Sequence, residues 1–217
     1  MKFIFDQQAS PKLPFTDTST TKNINSRRLS KRAMLASSFL MLGLGLLVNA
    51  SYIQLKAQLA QVLIASAYTK LISQQQVQKP WPWADTHVLA RLEIMGKTNY
   101  VLANASMRTL AFGPAHMSQT ASFGDIGNSV IVGHRDTHFS HLQNIKVGDV
   151  IRLYHASQQI IYKVEEIKVV DEKQVGVTDD LPISVLTLIT CYPFNALTPN
   201  PKQRFVVRAV KIDSYFS

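Results

Sequence analysis

The chain has 217 residues, of which 46% are hydrophobic and 17% charged, with a formal net charge of +9 and a single cysteine. Seven Lys or Arg against two Asp fall within residues 1–32, so the basic balance is largely a property of this tail. The composition therefore gives little support to nucleic-acid binding, and one cysteine excludes an intrachain disulfide. The length leaves room for one domain of ordinary size plus additional segments.

The N-terminal region is a polar tail followed by a long apolar segment. Residues 1–32 are rich in Thr, Ser, Asn and Lys and end in a basic cluster, and we expect a disordered cytoplasmic tail. The next 23 residues, 33–55, carry no charge, and a helix of this length can cross a bilayer. The basic cluster before it is expected to stay in the cytoplasm. We place a single-pass transmembrane anchor at 33–53. A signal peptide cut near the small residues 48–50 is the alternative, and either way the remaining chain is exported.

A helical linker and then a β-rich domain are expected after the anchor. Apolar residues interleaved with Gln and Lys predict a helix within 54–78 that either packs on the domain or acts as a spacer. Prolines on both sides of Trp81 end it, and the domain occupies 79–217. Val/Ile/Tyr-rich segments bounded by Gly, Asp, Asn or Pro predict strands at Val88–Met95, Tyr100–Leu102, Ser129–Gly133, Asp149–His155, Ile160–Val170, Val185–Thr190 and Phe205–Ile212. Short helices are expected at Ser106–Ala111 and Thr137–Asn144. Because no helix of ten or more residues alternates with the strands, we predict a mainly β protein, a closed β-barrel.

Three residues in this domain are candidates for chemistry. Cys191 ends an apolar strand, His134 follows another after a glycine, and Arg204 opens the last strand. A free thiol is only a few per cent thiolate at neutral pH, so a nearby histidine or cation is needed to activate it. A guanidinium has fixed donors that can hold the oxyanion formed in acyl transfer. Taken alone, a single cysteine in an apolar strand is more often a buried, inert residue than a catalytic one.

The chain resembles the sortases, which are membrane-anchored cysteine transpeptidases. The run Thr187-Leu188-Ile189-Thr190-Cys191 matches their signature Thr-Leu-x-Thr-Cys, and Gly133-His134 matches their strand-end histidine. Arg204, thirteen residues beyond the cysteine, matches the arginine that opens their last strand. The resemblance covers roughly 88–212. The continuation Cys191-Tyr192-Pro193-Phe194 is most similar to the sortases of Gram-negative bacteria.

The resemblance implies a function as well as a sortase-like closed β-barrel. Cys191 would be the nucleophile, His134 would protonate the leaving amine and deprotonate the incoming one, and Arg204 would bind the substrate backbone or the oxyanion. The substrate would be a secreted protein with a C-terminal Leu-Pro-x-Thr-Gly-like signal, cut after Thr through a thioacyl-enzyme and transferred to an amine. The enzyme would lie in the cell inner membrane with its catalytic domain outside the cytoplasm. No cofactor or metal is expected.

Several alternatives remain open at this point. Arg208, four residues beyond Arg204, is a second candidate arginine, and Asp136 is a candidate partner for His134, although a solvated turn residue is the simpler interpretation. His138 and His141 are interpreted as surface histidines because no third metal ligand is evident. Two other functions compete: a non-catalytic anchored β-domain that binds a partner, and a thiol hydrolase that uses water as acceptor.

Overall fold

The computed structural model describes residues 31–196 and 201–212. The expected disordered tail falls outside the described residues, apart from its last two positions. The chain divides into two compact units, with the division between Val48 and Asn49.

The first element is a long helix, α1 (Lys31–Gln74). In the first unit its large apolar side chains are exposed; Phe39 is 72% exposed and Leu40 74%. Among the described residues, α1 is the one helix long and apolar enough to cross a membrane by length and composition. This is consistent with the anchor expected at 33–53.

In the second unit, the later part of α1 packs on the β-rich domain. Ile64 and Ala67 are buried, and they form one apolar cluster with Val88, Leu102 and Ala115. Burying a large aliphatic side chain of this kind contributes roughly 1.5–3 kcal/mol. Of the two roles expected for this segment, the structure therefore has the packed helix.

Eight strands in the described residues close into a barrel in the order β1-β2-β3-β4-β7-β8-β6-β5. The strands are β1 (Val88–Ile94), β2 (Lys97–Ala103), β3 (Ala115–His116), β4 (Gly127–Val132), β5 (Val150–His155), β6 (Gln158–Asp171), β7 (Ser184–Tyr192) and β8 (Gln203–Ile212). The predicted mainly β fold, a closed barrel that follows an N-terminal apolar helix in the chain, is confirmed.

The expected short elements are only partly present. The helix predicted at Ser106–Ala111 is α2 (Met107–Leu110), whose first turn is capped by the Ser106 hydroxyl. The short helix predicted at Thr137–Asn144 is present in its second part, as a 3₁₀ helix at Ser140–Asn144. The two-residue strand β3 was not predicted, since two residues are too few for an alternating pattern.

Two pairs of neighbouring strands are parallel, β2 with β3 and β4 with β7, and the other pairs are antiparallel. The hairpin of β5 and β6 is the crossover between β4 and β7, and it completes the barrel on the far side of β8. Because β4 and β7 run in the same direction, their C-terminal ends meet at one edge of the barrel.

The interior of the barrel is filled with apolar side chains, so the fold has a solid core. In β7, Leu186 and Leu188 belong to this core, whereas Ile189 packs outside it in a small cluster with Val170 and Val206. Successive side chains of a strand point to opposite faces. Cys191, two residues beyond Ile189, therefore faces outward, and any site around it lies on the outer surface.

Candidate active site

Strand register brings the three candidate residues to one place. In the parallel pair β4–β7, Val132 lies opposite Ile189. His134, two residues beyond the end of β4, and Cys191, two residues further along β7, therefore lie at the same edge of the sheet. In the antiparallel pair β7–β8, Cys191 lies directly opposite Arg204. Cys191 is thus flanked by the histidine segment on one side and the arginine strand on the other.

These residues line an open cleft of about 390 Å³ on the outside of the barrel. Cys191 is a free, partly exposed cysteine. The lining residues are Met107, Leu110, Val132, Gly133, His134, Glu172, Ile189, Thr190, Cys191, Pro201 and Arg204. One wall is therefore apolar, from α2, β4 and β7, and the polar groups gather at the strand ends. The interpretation of Cys191 as a buried, inert side chain does not fit this environment.

Gly133 lets the histidine segment pack closely on the core. A Cβ added at this position would come within 2.7 Å of the ring of Phe139, a side chain with 0% exposure. The Phe139 amide donates to the His134 carbonyl at 3.0 Å and closes the turn that begins at His134. The glycine before His134 is thus required by a close approach of backbone to an aromatic core residue.

The strand ends of β4 and β7 are also joined at Gly133. Its amide donates to the Ile189 carbonyl at 3.1 Å, and its carbonyl accepts from the Thr190 hydroxyl at 2.7 Å. Thr190 is 2% exposed, so this hydrogen bond is shielded from water. Thr190, which precedes Cys191, therefore helps to fix the backbone at Gly133, which precedes His134.

Arg204 is held by its own surroundings in this structure. Its Nη1 donates to the carbonyl oxygens of Pro201 at 2.6 Å and Gln203 at 3.0 Å, and its Nη2 lies 3.0 Å from Glu172 Oε2. Among the described residues that line the cleft, Glu172 is the one acidic side chain. It lies just beyond β6. Because its carboxylate is paired with Arg204, it competes with any ligand for the guanidinium.

Arg208 lies on the same outward face of β8 but away from the cleft. It is opposite Thr187, four residues before the cysteine, and its Nη1 is 3.2 Å from Glu166 Oε2. Of the two candidate arginines, only Arg204 lines the cleft with Cys191 among the described residues.

The polar residues that follow His134 have other partners. Asp136 has a side chain that is 69% exposed, and its carboxylate accepts from Arg135 Nε at 3.1 Å. Burial lowers the pKa of His138, and a positive charge on His134 lowers it further. Burial, with a smaller effect of Lys97, also lowers the pKa of His141. Within residues 31–196 and 201–212, no group of three or more His, Cys, Asp or Glu side chains is arranged to hold a metal ion.

Two neighbours of the site were not singled out from the sequence. Glu172 is one of several acidic residues around β6, and no local pattern distinguishes it. Arg135 follows His134 directly, but its burial to 6% exposure depends on contacts with a distant segment. Assigning either residue to the site requires the pairing of distant strands, which local sequence patterns do not give.

A thiol, an imidazole and a guanidinium in one cleft outside a closed β-barrel form a candidate site for cysteine-based acyl transfer. Residues 91–212 match the family model of the sortase domain. The chain belongs to the sortase family.

Individual relatives agree with this assignment. The chain is 29% identical over 101 residues to sortase D of Bacillus subtilis (strain 168), covering 46% of this chain and 50% of that protein. The match thus spans about half the length of this curated relative.

Solved structures show the same fold. A Clostridium perfringens sortase D5 transpeptidase superposes with a TM-score of 0.59 at 20% identity, covering 72% of this chain and 99% of the other. Sortase A of Listeria monocytogenes gives a TM-score of 0.53 at 26% identity, covering 58% and 88%. A lid mutant of sortase A from Corynebacterium diphtheriae gives 0.56 at 23% identity, covering 72% and 91%.

Proposed function

We propose that the chain is a cysteine transpeptidase that cleaves a Leu-Pro-x-Thr-Gly-like C-terminal signal after Thr and transfers the acyl group to an amine. The observation that carries the proposal is the strand register: β4 is parallel to β7 and β8 is antiparallel to it, so that His134, Cys191 and Arg204 line one cleft. Membership of the sortase family supports it independently.

The reaction proceeds in two acyl transfers. The Cys191 sulfur attacks the carbonyl carbon of the substrate threonine, the Thr–Gly C–N bond breaks, and His134 gives a proton to the leaving amine. The resulting thioester is attacked by the incoming amine, His134 takes a proton from it, and the sulfur leaves. Arg204 donates hydrogen bonds to the carbonyl oxygen, which becomes negative in each tetrahedral intermediate.

The apolar wall of the cleft suits the Leu-Pro part of the signal. Met107 is 79% exposed, and Leu110, Val132 and Ile189 lie beside it along the cleft. An exposed apolar wall with polar groups at one end is the usual pattern of a ligand site. The leucine and proline bind along this wall, and the threonine carbonyl lies next to Cys191.

The proposal includes the place of action. The basic residues at 27–32 precede the apolar part of α1, which favours a cytoplasmic N-terminus, a single-pass anchor in the inner membrane and a catalytic domain at 79–217 outside the cytoplasm. The likeness to Gram-negative sortases rests on the run Cys191-Tyr192-Pro193-Phe194.

The test is to offer the full-length protein a Leu-Pro-x-Thr-Gly peptide with and without an amine such as triglycine, and to identify products by mass spectrometry. The expected result is a new amide between the threonine carboxyl and the added amine. Cleavage that yields only the free acid at every amine concentration would make the chain a hydrolase. No cleavage, combined with a thiol that resists alkylation until denaturation, would favour the non-catalytic binding domain.

We expect Arg204→Ala to lower kcat/KM for peptide cleavage by about 10²-fold, the usual effect of removing an oxyanion donor. Arg204→Lys should lie in between, because an ammonium keeps the charge but not the planar fork. Arg208→Ala is the matched control, since both arginines are on the same strand face and each pairs with a glutamate. Arg208→Ala should change kcat/KM by less than about twofold. Equal losses in the two alanine variants would contradict the assignment.

Glu172→Gln is expected to raise kcat/KM by about two- to fivefold. The change keeps the shape of the side chain but removes the charge that competes for Arg204, and a part-exposed ion pair of this kind contributes about 0.2–1 kcal/mol. Glu166→Gln, at the partner of Arg208, is the control and should leave kcat/KM unchanged. Progress curves of peptide cleavage give both values. A fall in kcat/KM for Glu172→Gln would mean that the carboxylate orients Arg204 instead of competing for it.

A further inference from the structure

Arg135 is a buried arginine next to the candidate histidine, and the reaction proposed above does not use it. Its side chain is 6% exposed. Its Nη1 donates to the Pro193 carbonyl oxygen at 2.7 Å and its Nη2 to the Ala196 carbonyl oxygen at 2.7 Å. Its Nε donates to Asp136 Oδ1 at 3.1 Å. A buried guanidinium stays charged, so such short charge-assisted bonds to fixed acceptors are strong ones.

These contacts join two segments that are distant in sequence. Arg135 directly follows His134, and Pro193 comes two residues after Cys191. The two carbonyl groups belong to the connection that leaves β7 and reaches β8. One side chain therefore ties the backbone beyond the candidate nucleophile to the backbone beyond the candidate acid–base residue.

The same connection has two further attachments. Phe194 packs edge-on against Phe205 of β8, with ring centroids 5.1 Å apart. At the other end, Pro201 accepts a hydrogen bond from Arg204, as described above. Of these three attachments, Arg135 is the one that comes from the histidine segment.

We propose that Arg135 is a positioning residue that holds residues 193–196 and thereby fixes Cys191 relative to His134. The inference rests on the proposed function, in which those two side chains act as a pair. Such a pair is sensitive to small displacements, because a misplacement of about 1 Å can reduce a rate by about 10²-fold. A lysine provides a single flexible ammonium and does not hold two carbonyl groups in the same fixed geometry.

The structural part of the proposal is tested by hydrogen exchange on the full-length protein. Arg135→Ala should speed amide exchange in peptides covering 193–196 by about tenfold or more, since two charge-assisted hydrogen bonds are lost. Arg135→Lys should have a smaller effect in the same direction, and it carries the test if the alanine variant does not fold. Arg152→Ala, at an exposed arginine of β5, is the control and should leave that segment unchanged. Unchanged exchange in both Arg135 variants overturns the proposal.

The functional part is tested by alkylation of Cys191, the only thiol in the chain, with iodoacetamide. We expect His134→Ala to slow alkylation in the parent protein, and to slow it much less when Arg135→Ala or Arg135→Lys is already present. Asp136→Asn should leave the effect of His134→Ala intact, because the carbonyl contacts of Arg135 remain. An effect of His134→Ala that is the same with and without Arg135 overturns the proposal.

The two experiments separate this inference from the proposed function. If His134→Ala does not change alkylation in the parent protein, the proposed pairing of His134 with Cys191 fails. The exchange experiment still decides whether Arg135 holds the segment after Cys191, because it needs neither substrate nor a reactive thiol.

Discussion

Replacing Cys191 with alanine should abolish both cleavage and transfer, leaving less than about 10⁻³ of the parent rate, as expected when a nucleophile is removed. The physical reason is that the thioester cannot form without the sulfur, and no second cysteine exists in the chain to replace it. Hydroxylamine added during peptide cleavage provides the measurement. The parent should yield the threonine hydroxamate, and Cys191→Ala should yield none.

Cys191→Ser is the closest control in shape. A hydroxyl is a much weaker nucleophile than a thiolate near neutral pH, so this variant should also be inactive while it keeps the cleft intact. Circular dichroism and the thermal unfolding midpoint should be close to those of the parent for both variants, because Cys191 is partly exposed on the outer surface of the barrel. Hydroxamate formation by Cys191→Ala at a rate near that of the parent would exclude Cys191 as the nucleophile.

Replacing His134 with alanine should lower kcat by about 10²- to 10⁴-fold, the usual range for a positioned acid–base group. In the proposed reaction, the leaving amine then departs without a proton donor, and the incoming amine attacks without a base. The pH dependence of kcat should also change, because the residue that carries the proton is gone. Steady-state cleavage of the peptide between pH 6 and pH 9 measures both effects.

His87→Ala is the control for this variant. His87 is half-buried near the start of β1, and it is not among the residues that line the cleft. It should retain a kcat within about twofold of the parent, because its side chain does not line the cleft. A His134→Ala protein with the parent pH profile would show that another group moves the proton.

Local sequence patterns were sufficient for most of the strands. Alternating Val, Ile and Tyr between turn residues predicted β1, β4, β5, β6, β7 and β8 to within a few residues of their observed ends. These signals are local, because side-chain alternation and turn residues act over a few positions. The short strand β3 was not predictable in this way, since two residues carry no alternating pattern and pairing with β2 and β4 holds it.

The sequence by itself determined the mainly β class, the long apolar helix and the run Thr187–Cys191 as the place to look for a reactive thiol. Only the tertiary structure decided what surrounds that thiol. The parallel pairing of β4 with β7 joins segments more than fifty residues apart, and it brings His134 and Cys191 to one cleft. Arg204 and Arg208 share one strand face, so the local pattern is equal for both, and the register of β8 against β7 distinguishes them. Pairing between distant strands is a property of the whole barrel, because each strand satisfies its hydrogen bonds only when its neighbours are in place.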